Sequence, residues 1–309
     1  MIIVTGSSGL IGKALLDEYM SNPEIEDIWK FLTSEDGDLT KEEDVYKIFE
    51  KYQPTHIVHL AANVGGLYKN MYQKAEMFED NIIMNTLLFK YARKYKVKKI
   101  ISILSTCIFP DGVQPLTEDK LHLGPPHYSN EGYAYAKRMM EVHGRILNES
   151  GIQTIQLVPT NIFGPYDNFN IDNAHVIPAL IHNCYLSKHS NKPFIVKGSG
   201  KPLRQFIYNK DLAKMIMWNM YYNTKSGMYI CSPPSKQEIS IGDVARQIAK
   251  CMEYENKLTF DVQYSDGQYK KTVEPNNIYN NFKYTDFNKA LQCTVEWFIE
   301  NYPKNKVRI

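Results

Sequence analysis

The feature that most limits what this chain can fold into is the turn Gly6-Ser7-Ser8-Gly9-Leu10-Ile11-Gly12. It directly follows the apolar run Ile2-Ile3-Val4-Thr5 and opens a stretch, residues 10–20, whose apolar side chains recur at helical spacing. Strand, glycine turn and helix together let the backbone approach a pyrophosphate closely. The helix N-terminus then supplies N–H groups and partial positive charge. Of the 17 glycines only these form GxxGxxG, and the strand-to-helix context separates a dinucleotide turn from a merely structural one.

The same alternation continues for half the chain. Strand-like runs at 28–33, 56–60, 99–105 and 154–158 are separated by helical patterns at 41–51, 71–94 and 133–148. Strands spaced by helices call for a parallel sheet with right-handed crossovers, so the first 160 residues predict an α/β, doubly wound (Rossmann) domain. After Thr160 the rhythm breaks. Residues 161–173 are rich in Gly, Pro, Asn and Asp and read as a long functional loop. Beyond it, helices are expected at 176–186, 211–222, 241–252 and 287–301, with short strands at 194–196, 228–231 and 258–262. A second, smaller domain interleaved with the first is the expected plan.

Composition excludes several classes. Thirty-six Lys+Arg against 34 Asp+Glu leave +2, too little to draw the chain to nucleic acid or to a membrane surface. Five scattered cysteines without a CxxC suggest neither a disulfide framework nor a metal site, and fit a reducing compartment. No 18-residue apolar run and no signal-like N-terminus occur, so a cytoplasmic setting is expected.

A second motif carries chemistry. In Tyr133-Ala-Tyr-Ala-Lys137 the spacing of four puts phenol and ammonium on one helical face. There the ammonium is expected to depress the phenol pKa and to hold a cofactor ribose. The Tyr-x-x-x-Lys pattern occurs five times in this Tyr-rich chain, but only Tyr133 follows a strand that ends in a serine, Ser105. That is where α/β sheets present ligands, and the hydroxyl is suited to hydrogen-bond a carbonyl under reduction. Cys107 and His175 are open between small buried or capping roles and catalysis. Arg204 and Lys271 are cations in loop-like stretches, where a solvated charge is the ordinary outcome.

GxxGxxG, rather than GxGxxG, resembles the turn of the short-chain dehydrogenases. HLAANVGG (59–66), LSTCIFP (104–110), GYAYAKRM (132–139), PTNIFGPYDNFN (159–170), HVIPALIH (175–182), GSGKPLRQFIY (198–208) and SDGQYKK (265–271) extend the likeness over nearly the whole chain. The chain resembles the GDP-L-fucose synthase family, the epimerase–reductases of the extended short-chain dehydrogenase/reductase superfamily.

The resemblance implies epimerisation of a GDP-linked 4-keto-6-deoxyhexose at C3 and C5, then reduction at C4 by NADPH, in a homodimer. It implies Tyr133 as the acid at C4, tuned by Lys137, with Ser105 positioning the keto oxygen. Cys107 would be the base and His175 the acid of epimerisation. Asn161, Arg204 and Lys271 would contact the substrate. The cofactor would meet Gly6, Ser7, Ser8, Gly9, Leu10, Ile11, Gly12, Asp38, Leu39, Ala61, Ala62, Pro159, Asn161 and Ile162, besides Tyr133 and Lys137. Residues 1–165 and 206–232 would form the dinucleotide domain, and 166–205 and 233–309 the nucleotide-sugar domain.

Two departures from the family pattern stand out. Where relatives place a basic side chain for the 2′-phosphate, this chain has Thr33-Ser34-Glu35-Asp36. An acid there would repel the phosphate and favour NAD, unless Lys13 compensates. Eight residues after His175 stands Asn183 instead of a cation. Rival readings are a GDP-colitose-type epimerase–reductase, which would share every motif, and a dinucleotide-sensing protein without activity. A 4,6-dehydratase would need acidic residues beside Ser105-Thr106, and a 4-epimerase would not need Cys107 and His175.

Overall fold

The opening apolar run becomes β1 (Ile2–Thr5), buried at every residue, as a central strand of a parallel sheet must be. The computed structural model describes residues 1–264, 266, 269 and 271–309, with the backbone alone for Leu67 and Tyr68. From β1 the chain passes through α1 (Leu10–Met20) to β2 (Trp29–Phe31), and through α2 (Glu42–Tyr52) to β3 (His56–His59). Next come α3 (Leu67–Tyr72), α4 (Lys74–Lys94), β4 (Lys99–Ile103), α5 (Glu131–Glu149), β5 (Gln153–Pro159) and β6 (Asn161–Phe163). The second half holds α6 (Val176–His189), β7 (Phe194–Lys197), β8 (Leu203–Arg204), β9 (Phe206–Tyr208), α7 (Asn209–Tyr221) and β10 (Gly227–Cys231). It closes with β11 (Ile239–Ser240), α8 (Ile241–Cys251), β12 (Leu258–Asp261) and α9 (Phe287–Asn301).

Six strands form one parallel sheet in the order β2-β1-β3-β4-β5-β10, the doubly wound architecture the sequence predicts. The winding reverses beside β1, since β2 lies on one side of it and β3 on the other. The crevice past their carboxyl ends is the switch point where such sheets bind ligands. In register, Thr5 faces His59 and His59 faces Ser102, so β1, β3 and β4 end level at that crevice.

Helices cover both faces of the sheet. Phe49, Phe89 and Met140 of α2, α4 and α5 pack on one face. Leu15, Leu212 and Ile216 of α1 and α7 pack on the other. Lys99 shows how such a sheet accepts a buried cation. Its Nζ donates to the carbonyls of Asn219, Met220 and Asn223, at 3.2, 2.8 and 3.0 Å, satisfying orphan groups and the negative pole at the end of α7.

A separate core gathers Phe163, Phe169, Ile181, Phe194, Val244 and Phe298, and so joins α6, α8, α9 and the β7–β12 pair into a smaller lobe. The chain crosses between the lobes repeatedly. In β9, Phe206 and Tyr208 pack in the small lobe while Ile207 packs against the sheet.

Two sequence expectations are corrected. The helix expected at 71–94 is two helices, because Gln73 (φ −118°, ψ 40°) breaks the helical path between them. The loop expected at 161–173 begins as β6, which pairs in parallel with β9. That partner lies some 45 residues on, so local composition carries no trace of the pairing. Among the described residues no helix is long and apolar enough to cross a membrane.

Candidate active site

A cleft of about 970 Å³ opens at the switch point. It is lined by Gly6, Ser8, Gly9, Leu10, Ile11 and Gly12 from the turn, by Asp38 and Leu39 after β2, and by Ala61 and Ala62 after β3. Ser105, Tyr133, Lys137, Pro159, Asn161, Ile162 and His175 complete the group of sequence-selected residues on its wall. Ser7 does not reach the cleft; it is buried, and its hydroxyl donates to Val4 O at 2.9 Å.

The turn is built for close approach. Gly6 has φ +71°, and a Cβ there would stand 2.6 Å from Ala61 N. A Cβ on Gly12 would stand 2.5 Å from Gly6 O. Gly9 caps α1 without a side chain, and no acidic residue occupies the first helical turn. The first-turn N–H groups are therefore left for an anion.

Beneath the turn a buried network locks the strand ends together. Ala61 N–H donates to Thr5 Oγ1 (3.2 Å), and Thr5 Oγ1 lies 2.8 Å from His59 Nδ1. On its far side His59 Nε2 meets Asn85 Oδ1 at 2.9 Å. With the Asn85 amide oriented this way, Nε2 is the donor and Nδ1 accepts from Thr5. Burial, aided by the charge of Lys137, pulls the His59 pKa down to about 3, so this ring stays neutral and structural.

Ser105 sits two residues past the end of β4, at the head of a 3-10 turn, and its Oγ accepts from Cys107 N at 3.4 Å. Tyr133 and Lys137 project from α5, with Lys137 Nζ 5.8 Å from the phenol ring centre and 3.0 Å from Ile103 O. The expected depression of the phenol pKa is not what the surroundings produce. Burial first, then the Cys107 sulfur, raises it above the ordinary tyrosine value. Burial also pulls Lys137 down to about 8, with Cys107 opposing. Desolvation outweighs the cation, so Tyr133 is held as a neutral phenol, the form that can donate a proton.

Cys107 lies beside this group but off the main cleft wall. Burial raises its thiol pKa, while Lys271, Ser105 and Lys137 pull it back. Burial lowers the Lys271 pKa, with Arg204 acting in the same direction and Cys107 and Asp111 opposing, so Lys271 lies within electrostatic reach of the sulfur. Neither cation lines the dinucleotide cleft, and each has a carboxylate within electrostatic reach, Glu238 for Arg204 and Asp111 for Lys271. Asn161 donates to Gln205 O at 2.9 Å, next to Arg204. Of the 265–271 motif only Asp266, Tyr269 and Lys271 fall within the described residues.

His175 reaches the cleft from the small lobe, as the N-cap residue of α6. It is solvent-accessible, yet the protein walls around it lower its pKa. The α6 N-terminus disfavours the imidazolium in the same direction.

The first sequence departure loses its force, and the second stands. Thr33 and Ser34 line the cleft, but Glu35 and Asp36 do not. Asp36 instead accepts from Thr33 N (2.9 Å) and Tyr52 OH (3.3 Å), and lies 3.8 Å from Lys30 Nζ. Asn183 donates to Ile195 O at 3.0 Å, so its amide serves the β7 edge.

Three further residues stand on or behind the site: Arg138 and Asp167 fall inside the 132–139 and 159–170 motifs, and Arg308 falls in none. Arg138, next to Lys137, donates through Nε to Ile108 O and through Nη1 to Gly124 O (2.7 Å), clamping the turn that carries Cys107. Asp167 and Arg308 line the cleft beside Asn168. Membership of a motif was the signal available for Arg138 and Asp167; Arg308 lies 141 residues from Asp167 and offered none.

Comparison with known proteins agrees with this geometry. The model described as "NAD dependent epimerase/dehydratase family" matches residues 2–229. A GDP-L-fucose synthase of Dictyostelium discoideum is 44% identical over 306 residues, covering 97% of this chain and 96% of that protein. A probable GDP-L-fucose synthase of Drosophila melanogaster is 38% identical over 313 residues, covering 97% and 98%. The crystal structure of a GDP-L-fucose synthetase from Naegleria fowleri bound to NADP superposes with a TM-score of 0.93 at 44% identity, covering 100% of this chain and 94% of that one. The chain thus belongs to the NAD dependent epimerase/dehydratase family, within its GDP-L-fucose synthase branch.

Proposed function

We propose that this protein inverts C3 and C5 of GDP-4-keto-6-deoxy-D-mannose and reduces C4 with NADPH, giving GDP-L-fucose. The observation that supports this reading best is a thiol, Cys107, beside the Ser105–Tyr133–Lys137 group, with an imidazole from the small lobe, His175, on the wall of the cleft that this group lines. A simple reductase has no use for a thiol and an imidazole there.

The residues present fit NADP. One cleft of about 970 Å³ has both the glycine turn and Tyr133 on its wall, and the bare first turn of α1 is open to a diphosphate. Thr33 and Ser34 offer hydroxyls near the adenosine end, with no carboxylate of Glu35 or Asp36 on the wall. Lys137 would hold the nicotinamide ribose. Bound NADPH supplies the hydride that reduces C4.

The chain's own groups do the rest. Cys107, whose ionisation Lys271, Ser105 and Lys137 favour against burial, takes the proton from the carbon next to the ketone as the thiolate, and the electron pair moves to the C4 oxygen. Ser105 and Tyr133 hold that enolate oxygen with hydrogen bonds, and His175 returns a proton to the other face. Exchange with solvent resets both groups for the second centre. In the reduction Tyr133 gives its proton to the C4 oxygen. Arg204 and Lys271 hold the GDP diphosphate.

Incubation with GDP-4-keto-6-deoxy-D-mannose should give stoichiometric NADPH oxidation and GDP-L-fucose, identified by NMR. A folded, NADPH-binding protein that leaves this sugar unchanged would refute the reading, and a product from a 3-deoxy sugar alone would favour the colitose-type alternative.

The protein acts as a homodimer in the cytoplasm. Ile83 on α4 and Met139 and Ile146 on α5 are 42%, 45% and 50% exposed on two adjacent helices, an apolar face that a second copy would cover. The free thiols fit a reducing compartment. Light scattering at micromolar concentration should give twice the chain mass, and Ile146→Asp should shift it to monomer; wild-type monomer would overturn this.

A further inference from the structure

The dinucleotide cleft is short of positive charge. Among its described lining residues the only Lys or Arg side chains are Lys137 and Arg308. Lys137 is 2% exposed and committed to Ile103 O beside Tyr133, at the catalytic end. A dinucleotide diphosphate brings two negative charges, and a helix N-terminus offsets only about half a unit. The turn therefore lacks a full cation, unless Arg308 supplies it.

Arg308 is held where that charge is needed. Its backbone forms a parallel bridge with Asn168, and Phe169 N donates to Arg308 O at 2.8 Å. Val307 is buried in the small-lobe core and fixes the segment from behind. Residues 165–167, next to this bridge, lie over the start of α1. Asn209 Nδ2 joins Pro165 O (2.8 Å) to Leu10 O (3.3 Å), and Tyr166 OH donates to Asp17 at 3.0 Å. Segment 307–309 is thereby carried to the glycine-turn side of the cleft.

Asp167 is the carboxylate that Arg308 acts on at this wall. It is only 3% exposed, lines the cleft, and its Oδ2 has no hydrogen-bond partner. Its other oxygen accepts from Asn168 N at 2.7 Å. Burial pushes its pKa up to about 7, with Arg308 pulling the other way. Near neutrality Asp167 is thus an incomplete counter-ion, and Arg308, exposed toward the cleft, keeps charge to spare.

We propose that Arg308 is a ligand of the dinucleotide diphosphate, presented by its strand-like pairing with Asn168 and steered by Asp167. The proposal rests on the dinucleotide reading of the cleft but not on turnover of any sugar. Its test is equilibrium binding to the full chain, followed by NADPH and NADH fluorescence and, separately, by calorimetry with GDP. Arg308→Gln should weaken NADPH and NADH by similar factors, roughly tenfold, as expected for one charge-assisted contact at a partly solvated site. GDP affinity should not change, and Arg308→Lys should recover most of the loss. An unchanged circular dichroism spectrum and melting temperature would establish that the variants are folded.

Four results would overturn it: unaltered NADPH affinity in Arg308→Gln, a loss confined to NADPH (the 2′-phosphate as ligand), a loss confined to GDP (the sugar-nucleotide diphosphate), or a loss that Lys does not mend. Wild-type binding of NADPH without sugar tests the cofactor reading itself, so the two failures are distinct.

Discussion

Tyr133→Phe should leave NADPH binding intact and lower reduction at C4 by about 10²–10⁴-fold, the usual share of a positioned general acid. The phenol is suited to that share because it is protonated. Burial raises its pKa, so at neutral pH almost no phenolate forms in the free protein. The proton leaves only when charge develops on the C4 oxygen, when the nearby Lys137 ammonium can stabilise the phenolate left behind. Solvent deuterium should still enter C3 and C5 in this variant, since Ser105 remains to hold the enolate. Loss of NADPH binding together with turnover would assign Tyr133 to the cofactor alone.

The same pair predicts a pH limit. Lys137 is charged below about 8 and neutral above it. Reduction should therefore fall as pH rises through about 8, and Lys137→Met should abolish that limb along with most activity. Stability moves in the opposite sense. Between about 8 and the unperturbed value of 10.5 the unfolded chain binds the proton that the folded chain has lost. This residue's contribution to stability thus rises with pH across that window. A profile flat between pH 7 and 9 would argue against the assignment.

Cys107→Ser should abolish inversion, again by about 10²–10⁴-fold, without loss of fold or cofactor. A hydroxyl at that position is far less acidic than a thiol, and the change removes little volume. His175→Gln should block reprotonation in the same assay, read as lost deuterium incorporation at C3 and C5. The wild-type His175 limb should lie below the usual histidine value, because the protein walls around it and the α6 N-terminus both disfavour its charge. Lys271 gives an independent handle. It opposes the burial that raises the Cys107 thiol, so Lys271→Gln should move the pH midpoint of Cys107 alkylation upward. Normal deuterium exchange in both Cys107→Ser and His175→Gln would remove them from the mechanism.

What could be read in the sequence was local. A glycine turn between strand and helix is a contiguous pattern, and Gly6 and Gly12 are glycines because backbone atoms stand where a Cβ would go. The strand-and-helix rhythm of the first half, and α9 at Phe287–Asn301, follow from apolar spacing in the same way. What misled was environment. The acids after β2 looked hostile to a phosphate, but backbone turns point Glu35 and Asp36 off the cleft wall. A Tyr/Lys pair on one helical face looked like a lowered phenol pKa, but desolvation depends on what covers both groups, and no spacing reports that.

The sequence by itself determined the dinucleotide turn, the Rossmann rhythm, and the residue types available for catalysis, because each is written in a few neighbouring positions. Only the tertiary structure decided which of them meet. It seats Cys107 against Lys271, clamps that turn with Arg138, brings His175 across from the small lobe, and sets Arg308 beside Asp167. Cys107–Lys271, Ile108–Arg138 and Asp167–Arg308 lie 164, 30 and 141 residues apart, and packing and burial, rather than local propensity, bring them together and set their charges.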